Sequence, residues 1–77
     1  MKLKVKLISL FAKYAQEDEE GFTHLDQGQT IRALAESLGL PLKRVKIVTV
    51  NGKQGDLGTR LADNDLVYIF PPAIGGG

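Results

Sequence analysis

The first residues of the chain alternate. Leu3, Val5 and Leu7 fall on one parity and Lys2, Lys4 and Lys6 on the other, the period-two signature of a strand with one covered and one wet face. The pattern breaks at Ile8-Ser9-Leu10-Phe11, where apolar residues occupy both parities. The strand is therefore expected to end there and run into a short helical turn over Phe11-Ala12-Lys13-Tyr14-Ala15. Glu17-Asp18-Glu19-Glu20 is an aperiodic run of like charges, which predicts a solvated loop. Phe22, Thr23 and Leu25 predict a second strand within 21–26, hairpin-paired to the first, with His24 as a half-exposed strand residue.

The clearest element follows the turn Gln27-Gly28-Gln29. Thr30 stands at a helix N-cap, and Ile31, Leu34, Ala35 and Leu38 recur at i, i+3, i+4, i+7 on one stripe. Gly39 suits the left-handed residue that closes a helix, and Pro41 confirms the stop. Val45 to Val50 is rich in β-branched residues and predicts a third strand. Lys46 and Thr49 lie on opposite parities, so no inward side is assigned. Asn51-Gly52 is a strong hairpin signal, and Lys53 to Thr59 supplies at most an edge strand. After the polar turn Leu61-Ala62-Asp63-Asn64-Asp65, the run Leu66-Val67-Tyr68-Ile69-Phe70 is apolar on both parities and predicts a central strand. Tyr68 and Phe70 then either line an open face as a contact patch or fill the core. The order of elements gives an α+β domain of the β-grasp, or ubiquitin-like, type: a mixed four- to five-stranded sheet with one main helix across one face.

Composition narrows the chemistry. Seventy-seven residues make one domain. The chain has no cysteine, which excludes disulfides, thiolate metal sites and a cysteine nucleophile, and suits a reducing, cytoplasmic setting. A net charge of +1 gives no reason to expect nucleic acid. The basic cluster Lys43, Arg44, Lys46 has no interleaved aromatics for base stacking, which favours a protein partner. Charges at every second position exclude a signal-peptide core or membrane span at the start. The acidic run lacks companion metal ligands, His24 stands alone, and no nucleophile–base pair is evident. The chain is thus expected not to be an enzyme and to bind neither metal nor cofactor.

What remains is the end of the chain. Pro71 and Pro72 terminate the last strand, because neither has an N–H for a ladder. Ala73-Ile74 and then Gly75, Gly76 and Gly77 follow, a segment without the side chains needed to pack. This divides the chain into a body, 1–72, and a flexible tail, 73–77, that presents a bare carboxylate.

Val50-Asn51-Gly52-Lys53, Leu61-Ala62-Asp63-Asn64-Asp65, Val67-Tyr68-Ile69-Phe70-Pro71-Pro72 and the terminal glycines resemble the small subunit of molybdopterin synthase. Leu10-Phe11-Ala12 after an alternating strand is also similar, and the related thiamin-pathway sulfur carrier shares the fold and the Gly-Gly end. The resemblance implies a sulfur carrier of molybdenum cofactor biosynthesis. An ATP-dependent adenylyltransferase akin to ubiquitin-activating enzymes would adenylate Gly77, and persulfide sulfur, supplied by a sulfurtransferase or desulfurase, would displace AMP to leave a thiocarboxylate. The large synthase subunit would then take the sulfur. ATP is used by the activating partner, and this chain holds no cofactor. The resemblance also implies that Gly75 and Gly76 thread into the partner, and that Phe11, Tyr68, Phe70, Pro71, Pro72 and Ile74 make partner contacts. Two departures are evident. A third glycine makes the tail one residue longer, which calls for trimming, a deeper pocket or a reactive end about 3.5 Å further in. Polar Lys53 and Gln54 stand where the family often has an apolar contact. The same tail would serve a thiamin or tRNA sulfur carrier or a ubiquitin-like modifier of lysines; a plain interaction domain is the third reading.

Overall fold

Strand β1 (Lys2–Leu7) shows how alternation builds this fold. In a computed structural model that describes residues 1–72, Leu3 and Val5 are buried while Lys2, Lys4 and Lys6 are exposed. β1 passes into a 3₁₀ turn, Ser9–Tyr14, then a loop, and returns as the antiparallel β2 (Thr23–His24). Helix α1 (Ile31–Leu38) and a second 3₁₀ turn (Leu42–Arg44) lead to β3 (Ile47–Val50), the short β4 (Lys53–Gly55) and β5 (Leu66–Phe70). The sheet order is β2-β1-β5-β3-β4. β5 lies at its centre, parallel to β1 and antiparallel to β3, so the mixed ubiquitin-like arrangement is present.

Each element has a local cause. Thr30 Oγ1 accepts from Ala33 N–H at 3.2 Å and Gly39 closes the helix at φ 77°. The first helical N–H groups, which lack partners within the helix, donate to the Thr59 and Leu57 carbonyls of the loop before β5. Asn51 and Gly52 both have positive φ, as a two-residue turn that matches strand twist requires. The core lies between sheet and helix. Leu3, Val5, Val48, Val67 and Ile69 meet Ile31, Leu34, Ala35 and Leu38, all at most 4% exposed. Burial of each large side chain contributes roughly 1.5–3 kcal/mol. That packing sustains a helix too short to persist alone.

Several expectations are corrected here. Phe11, read as a partner contact, is 3% exposed and belongs to the core. Ser9 adopts φ 54°, and the 3₁₀ turn it opens directs Phe11 inward and leaves Leu10 outside. β2 has only two residues. Asp18 occupies its outer edge: the Asp18 N–H donates to Phe22 O at 2.8 Å, and Asp18 Oδ1 accepts from Glu20 and Phe22 N–H. The acidic loop is exposed, as its run of like charges predicts, and its backbone is organised around Asp18. β3 faces inward through Val48 and outward through Ile47.

Candidate functional site

Because Val67 and Ile69 take the inward parity of β5, Leu66, Tyr68 and Phe70 stand on the opposite, open face of the sheet. Strand register decides their neighbours. On one side Lys4 pairs with Leu66 and Lys6 with Tyr68; on the other Thr49 pairs with Tyr68 and Ile47 with Phe70. The open face thus carries a row of lysines, a central row of half-buried apolar and aromatic side chains, and a third row of Ile47 and Thr49. The Tyr68 and Phe70 rings stack, with centroids 6.1 Å apart and planes at 16°. Towards β2, the Phe22 ring lies beneath Lys2 Nζ at 4.6 Å and Lys4 Nζ at 5.7 Å, cation–π contacts that hold the loop against the sheet. None of the five strands contains an aspartate or glutamate.

Among the described residues, the two most exposed large hydrophobic side chains flank the end of β5. Leu10 is 58% exposed and Ile47 43%. Ile47 lies opposite Phe70, and Leu10 sits in the 3₁₀ turn that packs on β5, where Ile8 N–H donates to Ile69 O. Pro71 and Pro72, half-buried, follow Phe70 at this apolar pole. Beside it, Val45, Lys46, Val48, Leu57 and Gly58 line an open groove of about 400 Å³.

A family model described as Mut7-C ubiquitin matches residues 4–74. The chain belongs to the Mut7-C ubiquitin family. The matched span runs from within β1 past both prolines, so it takes in most of β1, the other four strands, the helix and the open face. No curated protein and no solved structure matches.

In this Mut7-C ubiquitin domain, Tyr68 and Phe70 stack on the open face, and half-buried Pro71 and Pro72 follow directly after Phe70. Phe11 does not join them, for the reason given above. Ile74, Gly75, Gly76 and Gly77 lie outside the described residues. Two surface residues escaped the sequence reading, Leu10 and Ile47. The parity break at Ile8–Phe11 marked the region but could not say which of Leu10 and Phe11 turns inward. Ile47 needed the inward face of β3, which its own residues leave ambiguous.

His24 Nε2 donates to Asp18 Oδ2 at 2.7 Å on an exposed edge. The Phe22 N–H, and then the His24 side chain, hold the Asp18 carboxyl below the usual aspartate range. No serine or threonine hydroxyl hydrogen-bonds this pair. Among the described residues no group of three or more His, Asp or Glu side chains is placed to hold a metal ion, and no helix is long and apolar enough to cross a membrane. The open face offers aromatic and aliphatic surface with cationic flanks, the material of a binding surface.

Proposed function

We propose that this chain is a sulfur carrier whose Gly77 carboxylate is adenylated by a partner and then converted to a thiocarboxylate. Its most specific form is the small subunit of molybdopterin synthase, working in the cytoplasm with an activating adenylyltransferase and a large catalytic subunit. The observation that carries the reading is the pole at the end of β5. There the central strand hands Phe70-Pro71-Pro72 to a surface flanked by exposed Leu10 and Ile47, with Ala73 and Ile74 between it and the glycines in sequence. A ubiquitin-like family supports it in general terms.

The chemistry is consistent with the composition. A carboxylate is a poor electrophile until a good leaving group is attached. Its oxygen attacks the α-phosphorus of ATP in the partner's site and pyrophosphate leaves. Persulfide sulfur of the donor then displaces AMP to give an acyl disulfide, and a second thiol on the donor cleaves the S–S bond, which releases the thiocarboxylate and leaves a disulfide on the donor. With no cysteine, no side chain of this protein can hold that sulfur, so the acyl terminus is the group left to carry it. The protein acts as co-substrate rather than catalyst. Four extended residues reach about 14 Å, enough for the end to enter a covered site while the body stays outside.

Intact-mass measurement tests this. The native protein is first shown to end at Gly77. Incubation with the adenylating enzyme, ATP and a persulfide donor is then expected to raise the mass by the sulfur-for-oxygen difference. Absence of that gain defeats the proposal. Isopeptide remnants of Gly77 on lysines of other proteins would establish the modifier reading in its place.

A further inference from the structure

Three segments meet where β5 stops: the end of β1 with the 3₁₀ turn after it, the second 3₁₀ turn with the start of β3, and the end of β5 itself. Their sequences, residues 6–15, 41–50 and 66–72, contain Lys6, Lys13, Lys43, Arg44 and Lys46 and no acidic residue. The whole chain has 10 basic and 9 acidic residues, so the imbalance is local to this pole. All five cationic side chains are exposed, and among the described residues none makes a salt bridge or a side-chain hydrogen bond. One acid, Asp56, shares the groove with Lys46, but its Oδ1 accepts from Gly58 N–H at 2.9 Å and makes no ion pair.

We propose that this pole docks a protein whose receiving surface has an apolar centre rimmed by acidic side chains. The proposal deepens the carrier reading and rests on it for the partner's role, because the glycine segment follows this pole in sequence. Leu10, Ile47 and Phe70 supply the apolar centre; Lys6 pairs with Tyr68 beside it, Lys46 directly precedes Ile47, and Lys13, Lys43 and Arg44 lie in the two 3₁₀ turns that adjoin these strands. Charges at a rim act mainly on orientation and association rate, and suppress partners of the wrong sign. A cationic collar around an apolar mouth therefore selects an acidic mouth on the receiving protein. Single-stranded nucleic acid is the less favoured occupant. Tyr68 and Phe70 stack on each other, which leaves one face of each ring for a base.

The probe is a peptide with a Phe-Leu centre flanked by glutamates, titrated into the full chain and followed by amide chemical shifts at low salt. Shifts are expected at Lys6, Leu10, Lys13, Ile47 and Phe70. Binding should weaken about tenfold in the Lys43→Glu/Arg44→Glu/Lys46→Glu variant and on raising salt with the unaltered protein. Lys53→Glu, at the opposite end of the sheet, should leave it unchanged. The inference is overturned by no binding, by equal binding of a glutamine-flanked peptide, or by equal loss with Lys53→Glu. An oligothymidylate that binds the same residues more tightly at the same salt overturns it in favour of nucleic acid. The mass gain described above decides the carrier reading separately, so either can fail alone.

Discussion

At the end of the sheet where β3 turns into β4, polar side chains bond one another; at the end where β5 stops, they do not. Asn51 Oδ1 accepts from Leu66 N–H, Asn51 Nδ2 donates to Asp65 Oδ1, and Asp65 Oδ2 accepts from Ala62 N–H. Asp63 Oδ1 accepts from Lys2 N–H. These bonds fasten the hairpin turn and the polar turn to the starts of β1 and β5. At the other pole, no side chain of residues 6–15, 41–50 or 67–72 makes a hydrogen bond among the described residues, and Leu10 and Ile47 project into solvent. One pole meets the requirements of the fold internally. The other leaves apolar area and cations to be satisfied by something outside it. The Val50-Asn51-Gly52 and Leu61-Ala62-Asp63-Asn64-Asp65 stretches, two of the segments that carry the resemblance in sequence, belong to the first pole and do structural work.

The comparison is tested most severely at the glycines. Removal of Gly76 and Gly77 should abolish thiocarboxylate formation, read by intact mass, whereas substitutions at the bonded pole should leave the acyl transfer in place as long as the protein is folded. Next in size is Asn51→Ala. It forces a Cβ-bearing residue without local hydrogen bonding into φ 53° and removes two side-chain bonds, a loss of about 2 kcal/mol in denaturant unfolding. Asn51→Gly keeps the turn and loses only the bonds, so it should cost about 1 kcal/mol. Equal costs for the two would show that the bonds, not the backbone, set the stability. Leu10→Ser reverses the pattern: unfolding should change by no more than about 0.5 kcal/mol, while the rate of thiocarboxylation falls. A large stability loss there would move Leu10 from the docking pole into the core.

Most of the architecture was legible because it was written locally. The stripe of α1, its Thr30 cap and Gly39, the Asn51-Gly52 turn and the alternation of β1 each depend on residues within a few positions. What escaped depends on pairing across the chain. The turn at Ser9 that exchanges Leu10 for Phe11 is decided by how the 3₁₀ segment packs on β5. The inward face of β3 is fixed by its register with β5, where Val48 opposes Ile69. Lys43, Arg44 and Lys46 were visible as a cluster, but Lys6 and Lys13 join them only through topology. Asp18 was one acid among four until the edge of β2 showed which backbone donors it serves.

The smallest effect expected lies at that edge, away from both poles, and it has a defined sign. The Phe22 and Glu20 N–H groups and His24 all favour the ionised Asp18 carboxylate, so its folded pKa lies below the 3.8 of an unperturbed aspartate. A depressed carboxyl pKa contributes stability that is fully present well above the unfolded value and is lost as pH falls through the folded one. Amide exchange at Glu20 and Phe22, corrected for the intrinsic pH dependence, should therefore be flat above roughly pH 5 and accelerate below roughly pH 4. Asp18→Asn keeps one acceptor oxygen but removes the charge, so it should exchange faster at neutral pH and lose the acid-side step. If the acid step persists in Asp18→Asn, another carboxylate secures the loop. If the step is accompanied by shifts at Leu10 or Ile47, the edge and the docking pole are coupled and the separation between bonded and unbonded regions is weaker than their hydrogen bonds indicate.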